Sequence, residues 1–397
     1  MMSNVLSRNF TRRGARSFAD HGVERLVSLC DSLGFSPENK QEALDVFLEL
    51  LTPWGDTPVG DRPRYASDIS DDHTPFEFSI AIDRGKPELR FLVEAQASEP
   101  SLSSNWEKAR AVNAALETRF GISLDRLRTI ESFFTPLDRT ARFGAWHAAC
   151  LRKGAKPDFK IYLNPQAQGK KHAFVIVGAT MSRLGFDDAY GLIAERPEDE
   201  IKYFSLDLAE NAGARVKVYT AHHNACASDI ETALSAARDY VPGEATDFCR
   251  AMAGSIGPFE DRPLITCLAF ADGSSTPITG TVHVPVRSYS ENDLVARDRI
   301  MSYLDPTSGA LYANAVTAFA SRPLEEGVGM QAYASLRQQG GKRRVTVYLG
   351  AEVYDVERPR LSIAPMSSRG GPASVAPVSG YQSRYPAIAG NHVRRFG

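Results

Sequence analysis

Basic and phenolic side chains recur at every second position in one short stretch of this 397-residue chain. The stretch ARVKVYTAHH places Arg215, Lys217 and Tyr219 two residues apart, with valines between them. Alternate residues of a β-strand point to opposite faces, so the pattern predicts a strand with one aliphatic face and one polar face. Guanidinium and ammonium groups bind phosphate oxygens, and electron-rich rings stabilise a carbocation. The polar face therefore suits a phosphorylated ligand and a cationic intermediate.

The same alternation recurs in the stretches ELRFLVE, FKIYLNP, TVHVPV and RVTVYLG. Five positions that represent these strands are separated by 70, 57, 66 and 63 residues, namely Arg90, Lys160, Lys217, His283 and Thr346. Each interval has room for a partner strand and for one or two helices. The predicted partner strands are FEFSIAI, WHAACLR, YFSLDL, LITCLAF and GMQAYASL, which gives about ten strands in antiparallel pairs.

Amphipathic helices decide which way the polar faces point. Helices are predicted at Val23–Leu33, Pro37–Leu51, Ser104–Arg119, Leu124–Phe134, Ala173–Leu184, Ala227–Tyr240 and Glu291–Leu304. These helices must bury an apolar stripe, and the aliphatic faces of the strands are the available surface. Closing the strands into a barrel then places every polar face inside, around a cavity wider than that of an eight-stranded barrel.

The predicted fold class is therefore α+β, a ten-stranded antiparallel β-barrel ringed by α-helices. We expect a flexible N-terminus over residues 1–20, a single barrel domain over 21–358 and a disordered tail over 359–397. The tail is rich in Pro, Ser and Gly, a composition that cannot bury enough apolar surface to fold.

An acid and three tyrosines define the chemistry expected in the cavity. Gathering many cations in a confined site is unfavourable unless an anion such as a diphosphate joins them. Tyr162, Tyr219 and Tyr348 accompany the cations and would shield an allylic cation from water. Glu77, in DDHTPFEFSIAI, would accept the proton of an indole N–H or a phenol if it points inward, whereas a solvated strand carboxylate is the alternative.

The bulk composition excludes several classes of protein. The net charge of −2 does not indicate binding to nucleic acid or to an acidic membrane surface, and no apolar run approaches the roughly 18 residues of a membrane helix. The odd number of cysteines, without a CxxC motif, is typical of free thiols in the cytoplasm. Asp71 in SDISDDHTP is expected to close a turn rather than to bind a metal, and His222 and His223 lack further zinc ligands.

Seven motifs together resemble the bacterial dimethylallyltryptophan synthase type of aromatic prenyltransferases. They are DDHTPFEFS, LRFLVE, KIYLNP, RVKVY, HVPVRSY, RPLEEGVG and RVTVYLGAEVY, spread over Asp71–Val356. The resemblance implies a barrel built from five α-β-β-α units, known as the ABBA fold or PT barrel. It also implies Friedel–Crafts transfer of a dimethylallyl group from dimethylallyl diphosphate to the indole ring of tryptophan or a tryptophan-derived compound. Neither magnesium nor another cofactor is expected, and we expect a monomer or weak homodimer.

The resemblance also assigns roles to residues. Glu77 matches the acid that holds the indole nitrogen, and the matched diphosphate ligands are Arg90, Lys160, Arg215 and Lys217. His283 and Arg344 stand where fungal members carry tyrosines and are expected at the diphosphate, and Tyr162, Tyr219 and Tyr348 match the cation shield. A lysine on one of these strands is implied to help remove the ring proton, without an indication of which one.

The acceptor pocket is less defined by sequence. Asn164 occupies a position that is aromatic in some fungal members, and Trp146 lies on a predicted strand, so both are candidate walls. Two alternatives stay open. One is a non-catalytic barrel that carries an isoprenoid or another phosphorylated ligand, and the other is the same chemistry with a phenolic acceptor or a geranyl donor.

Overall fold

The computed structural model describes residues 16–83, 86–187, 191–193 and 196–360. Its strands are β1 (Phe76–Asp83), β2 (Lys86–Val93), β3 (Ala145–Leu151), β4 (Asp158–Leu163), β5 (Asp199–Asp207), β6 (Arg215–His222), β7 (Leu264–Ala271), β8 (Thr279–Val284), β9 (Gln331–Gln339) and β10 (Lys342–Gly350). Every predicted strand is present, including the partner strand around WHAACLR.

Helices precede each hairpin along the chain. They are α1 (Phe18–Ser32), α2 (Pro37–Leu50), α3 (Leu102–Phe120), α4 (Asp125–Ile130), α5 (Ala173–Arg183), α6 (Ala227–Leu234), α7 (Glu244–Ala253), α8 (Asp293–Tyr303) and α9 (Pro306–Phe319). Local sequence explains several boundaries. The Ser36 hydroxyl accepts a hydrogen bond from the Asn39 amide at 3.2 Å, and Pro37 occupies the first turn of α2. Helices α7 and α9 were not among the predicted elements.

The ten strands form a closed antiparallel barrel, which confirms the predicted fold class. Each strand pairs with its sequence neighbour, and β1 pairs with β10 to close the ring. The register brings distant residues side by side, since Ser79 lies opposite Arg90 on one side and opposite Tyr348 on the other. All five hairpin turns lie at one end of the barrel, because each turn joins an odd-numbered strand to the next.

The apolar core lies between the outer faces of the strands and the surrounding helices. Phe78 and Phe91 of the barrel wall contact Phe47 of α2, with ring centroids 5.5 and 5.1 Å apart, and Phe319 of α9 packs on Phe78 at 5.7 Å. Edge-to-face contacts of this kind stabilise aromatic clusters beyond the area they bury. The helices therefore cover the aliphatic faces, and the polar faces of the strands point into the barrel.

The predicted domain boundaries are only partly within the described residues. Helix α1 begins at Phe18, inside the stretch predicted to be flexible, and Arg360, inside the predicted tail, donates its amide to the Glu291 carbonyl at 2.8 Å. Residues 1–15 and 361–397 lie outside the described residues, so the flexible terminus and the tail stay predictions there. No helix in the described part of the chain is long and apolar enough to cross a membrane.

Candidate active site

The barrel encloses a cavity with about 1300 Å³ of empty space, measured out to its opening. All predicted site residues except Asn164 line it, namely Glu77, Arg90, Trp146, Lys160, Tyr162, Arg215, Lys217, Tyr219, His283, Arg344 and Tyr348. The alternation that predicted an inward polar face therefore holds on every strand of the set. The alternative of a solvated carboxylate on the outer surface does not describe Glu77.

Asn164 is the exception, because it does not line this cavity. Strand β4 ends at Leu163, so the two-residue alternation does not continue to Asn164. Its side-chain amide instead donates to the Phe143 carbonyl at 2.8 Å, and its oxygen accepts from the Gln166 amide at 2.9 Å. Asn164 is thus a buried residue that fixes the turn after β4.

The cavity has a cationic half near the hairpin turns. Arg215 is the first residue of β6, and Arg344 is the third residue of β10, so both lie close to a turn. Arg337, near the end of β9, joins them and was missed by the sequence analysis. Its signal was available, because Tyr333, Ser335 and Arg337 alternate along one face of β9.

Two carboxylates lie among these cations. Asp207 accepts hydrogen bonds from Arg215 Nε and Lys217 Nζ, both at 2.8 Å. Glu88 accepts from Arg344 Nη2 at 2.9 Å and also contacts the Arg90 guanidinium. Burial alone would raise the pKa of each carboxyl, but the adjacent cations hold both pKa values well below their usual range. Both acids are therefore ionised at neutral pH.

The cations still exceed these acids in number. Arg90, Lys160, Arg215, Lys217, Arg337 and Arg344 face the cavity, against the carboxylates of Glu88 and Asp207. Burial, and then repulsion from Arg215, Arg344 and Arg90, lowers the pKa of Arg337 to about 10. Burial likewise lowers the pKa of Lys217 to about 7, although Asp207 opposes this shift. This half of the cavity is thus electrostatically suited to a multiply charged anion.

The other half of the cavity is aromatic. Tyr219 lies at its centre, with ring centroids 5.7 Å from Tyr162, 5.8 Å from Tyr203 and 5.8 Å from His283. Tyr348 packs on the opposite side of His283 at 5.8 Å. Tyr203 and Tyr333 were not among the predicted residues, although both occupy inward positions of predicted partner strands. Their faces line a sleeve of the kind that stabilises a cation.

Glu77 and Trp146 lie at the end of the aromatic half that is farther from the hairpin turns. Each is the second residue of its strand, β1 and β3 respectively. Trp146 stacks on Phe143 with centroids 3.9 Å apart and contacts Tyr203 at 5.4 Å. Burial raises the pKa of Glu77 to about 8, so the carboxyl is largely protonated at neutral pH.

The segment before β1 lies at the end of the barrel away from the hairpin turns. Asp68 and Ile69 line the cavity, and Asp68 binds Arg142 at 2.6 Å. The sequence predicted that Asp71 closes a turn through its own backbone, but it does not. Asp71 instead forms ion pairs with Arg262, at 2.9 Å, and with Arg287.

Asp72 closes the turn in place of Asp71. It accepts from the Thr74 amide at 3.1 Å and from the Thr74 hydroxyl at 2.6 Å. His222 and His223 bind separate partners, since His222 contacts Asp199 at 3.0 Å and His223 contacts Glu200 at 3.3 Å. Within the described residues, no group of three or more potential metal-binding side chains converges on one point.

Most of this chain is similar to proteins of known structure and to one family model. A family model described as tryptophan dimethylallyltransferase matches residues 15–315. The structure of 6-dimethylallyltryptophan synthase from Micromonospora olivasterospora, in complex with DMASPP and Trp, is 34% identical and has a TM-score of 0.81, covering 87% of this chain and 100% of that chain.

Two further solved structures are similar. PriB in a ternary complex with L-tryptophan and dimethylallyl thiolodiphosphate is 31% identical, with a TM-score of 0.82 and coverage of 88% of this chain and 100% of that chain. A 5-dimethylallyl tryptophan synthase from Streptomyces coelicolor, in complex with DMASPP and Trp, is 29% identical, with a TM-score of 0.81 and coverage of 89% and 100%. Each match therefore spans the whole of the related chain.

Proposed function

The chain belongs to the tryptophan dimethylallyltransferase family, and from this premise we propose that it transfers a dimethylallyl group from dimethylallyl diphosphate to the indole ring of tryptophan. The C–O bond of the donor breaks, and diphosphate leaves with the electron pair. A carbon of the indole ring then attacks the allylic cation, and the ring loses a proton. Diphosphate and prenylated tryptophan are the products.

The cationic half of the cavity supports the ionisation step. We assign the diphosphate to Arg90, Lys160, Arg215, Lys217 and Arg344, together with Arg337. Charge developing on the leaving oxygen is stabilised by cations that are already in place, which is the general electrostatic route to a lower barrier. Because six basic side chains, only partly neutralised by Glu88 and Asp207, surround the site, we propose that no metal ion is required for this step.

The aromatic half of the cavity supports stabilisation of the allylic cation until the indole ring attacks it. Tyr162, Tyr219 and Tyr348 surround the space next to the cationic half, and their rings attract a cation by roughly 2 kcal/mol or more when water is excluded. The sleeve also keeps out water, which would otherwise capture the allylic cation.

Glu77 supports activation of the acceptor. We propose that its carboxylate accepts the indole N–H, which raises the electron density of the ring. Burial disfavours the ionised form of Glu77 and raises its pKa to about 8. Donation by the indole N–H and attraction to the nearby allylic cation both favour ionisation, so Glu77 gives its proton to water as the reactants assemble.

One observation carries the proposal: a single cavity has a cationic half beside an aromatic half, with Glu77 at the far end of the latter. A non-catalytic carrier is not favoured, because the solved relatives are described as dimethylallyl tryptophan synthases. All five cysteines are free thiols, which supports the proposal that the enzyme works in the cytoplasm. The monomer or weak homodimer expected from the sequence stays a prediction.

The proposal is tested by incubating the protein with dimethylallyl diphosphate and tryptophan in the presence of EDTA. We expect a product heavier by one prenyl unit and an equal amount of diphosphate. NMR of the product identifies the alkylated ring carbon, and parallel reactions with phenols and geranyl diphosphate test the alternative acceptor and donor. Release of no diphosphate with any indole would contradict the proposal.

Glu77→Gln is the sharpest variant. We expect turnover to fall about 100-fold to 10 000-fold, because the amide cannot act as a carboxylate acceptor for the indole N–H. Binding of dimethylallyl thiolodiphosphate, measured by calorimetry, should stay within about threefold of the wild type. Glu107→Gln, on the exposed surface of α3, is the control and should leave both quantities unchanged. Equal loss of turnover and of donor binding would remove Glu77 from the acceptor role.

A further inference from the structure

The proposed alkylation leaves one proton without an assigned acceptor. When the ring carbon bonds to the prenyl group it still carries its hydrogen, and that proton must leave to restore aromaticity. The resemblance to the family implied a lysine, and the cavity contains Lys160 and Lys217. Both lie in the cationic half, where Lys217 Nζ donates to Asp207 at 2.8 Å and Lys160 contacts Cys150. Both lysines therefore lie in the region that we assign to the diphosphate.

His283 lies in the aromatic half of the cavity, among the tyrosines. It is the next-to-last residue of β8, so its strand position matches those of Glu77 and Trp146 at the end away from the hairpin turns. Its ring lies between Tyr219 and Tyr348, at 5.8 Å from each centroid. Among the described residues, no cation or carboxylate hydrogen bonds to the ring. His283 is therefore part of the tyrosine sleeve.

The hydrogen bond of the ring fixes which nitrogen is free. His283 Nδ1 is 3.3 Å from the Ile265 carbonyl oxygen, which can only accept. Nδ1 therefore carries the proton, and Nε2 carries the lone pair. No group in the described part of the chain bonds to Nε2. Burial lowers the pKa of His283 to about 4, so the imidazole is neutral at neutral pH and does not repel an allylic cation.

We infer that Nε2 of His283 accepts the ring proton, in place of the predicted diphosphate contact of this residue and of the implied lysine. The inference rests on the proposed function. The C–H bond of the alkylated carbon breaks, its electron pair returns to the indole π-system, and Nε2–H forms. The resulting imidazolium then gives its proton to water or to the departing diphosphate. A weak base is sufficient, because an alkylated, cationic ring is a far stronger acid than imidazolium.

His283→Asn separates the base from the structural hydrogen bond. The asparagine amide can still donate to the Ile265 carbonyl, as Nδ1 does, but it has no counterpart of Nε2. We expect formation of prenylated tryptophan to fall about 100-fold or more. The dissociation constant for dimethylallyl thiolodiphosphate should change by less than about threefold. Tryptophan deuterated on the indole ring should give a larger kinetic isotope effect in the variant, because proton removal has become slow.

A second variant and a control complete the test. His283→Gln is made in parallel, so that the test survives if His283→Asn does not fold, and thermal unfolding is recorded for both. His147→Gln is the control, because His147 is buried on the outer side of β3, with Nε2 2.8 Å from Asn113 Oδ1. Its isotope effect should equal that of the wild type.

The possible outcomes are distinct. If both His283 variants bind the thiolodiphosphate tenfold more weakly, with an unchanged isotope effect, His283 is a diphosphate ligand and the inference is overturned. Turnover equal to an active wild type would overturn it as well, while leaving the proposed function intact. A wild type that forms no prenylated tryptophan would overturn the proposed function, and this assignment with it.

Discussion

At the scale of single residues, Glu88 and Asp207 hold the cationic half of the cavity together before a donor is bound. Asp207 bonds to Arg215 and Lys217, and Glu88 bonds to Arg90 and Arg344. A diphosphate bound as we propose would need the same N–H donors, so its arrival would replace carboxylate partners by phosphate partners. The two acids therefore lower the cost of assembling the cations and at the same time compete with the ligand.

The pairing of Glu88 with Arg344 could not be read from the sequence. Glu88 lies on the same polar face as Arg90, two residues along β2, but Glu88 and Arg344 are far apart along the chain, and only the closure of β1 on β10 brings β2 close to β10. The neutralising charge was therefore expected from a ligand alone. All cavity cations except Arg337 were predicted, because alternation within one strand is a local property.

Glu94 should make the free energy of unfolding depend on pH. It is buried and follows β2, and burial raises its pKa from 4.5 to about 8, although the Ser67 and Trp146 side chains oppose this shift. Below pH 4.5 the carboxyl is protonated in both the folded and the unfolded chain, so it does not affect stability. As the pH rises from there to about 8, only the unfolded chain loses the proton, and the free energy of unfolding falls.

Glu94→Gln removes this titration. The wild type should lose more stability than the variant between pH 5 and pH 8, with a difference in slope of up to about 1.4 kcal/mol per pH unit. Urea unfolding of both proteins without ligand, at several pH values, measures this difference. Parallel curves would show that Glu94 titrates normally.

At the scale of elements, one face of each strand packs against the helices and the other face lines the cavity. Ile161 and Lys160 are neighbours on β4, but Ile161 belongs to the core outside the barrel and Lys160 lines the cavity. The alternation predicted this division along the strand but does not hold beyond its end. Asn164, which follows the last residue of β4, therefore does not line the cavity. Helix α9 was also missed, although Asp305 and Pro306 provide an N-cap and a first-turn proline.

Neighbouring substitutions on β4 should therefore have opposite effects. Ile161→Ala should lower the free energy of unfolding by about 2–5 kcal/mol, because it leaves a cavity in the core, and should change donor affinity little. Lys160→Ala should weaken binding of dimethylallyl thiolodiphosphate about tenfold to 100-fold, since a charge-assisted hydrogen bond is lost, with a smaller effect on stability. Denaturant unfolding and calorimetry on both variants test this. If Lys160→Ala bound the analogue as tightly as the wild type, the cationic half would not be the diphosphate site.

At the scale of the whole molecule, the open end of the barrel is spanned by ion pairs between remote segments. Asp71 precedes β1, Arg262 precedes β7 and Arg287 follows β8, so the two ion pairs of Asp71 cross the mouth. Their segment also contributes Asp68 and Ile69 to the cavity wall. The sequence could not show this role, because two adjacent aspartates were equally able to close the turn.

Asp71→Asn tests whether this closure excludes water. Weakening both ion pairs should loosen the covering segment, so that water captures the allylic cation more often. We expect the ratio of dimethylallyl alcohol to prenylated tryptophan to rise severalfold, with a loss of stability of no more than about 1 kcal/mol, since partly exposed ion pairs contribute little. Asp61→Asn, exposed on the same segment, is the control. An unchanged ratio would show that the mouth is sealed by other contacts.

The pairing of the first strand with the last strand also affects how the chain folds during translation. Residues 77–82 of β1 pair with β2 on one edge, but their partners on the other edge are residues 345–350 of β10. At about 5–20 residues per second, translation separates the two by roughly 15–50 s. During that interval the nascent sheet has an unpaired border that invites association with other chains. We therefore expect the soluble yield in a heterologous host to rise more when chaperone capacity is raised than when translation is slowed by cooling.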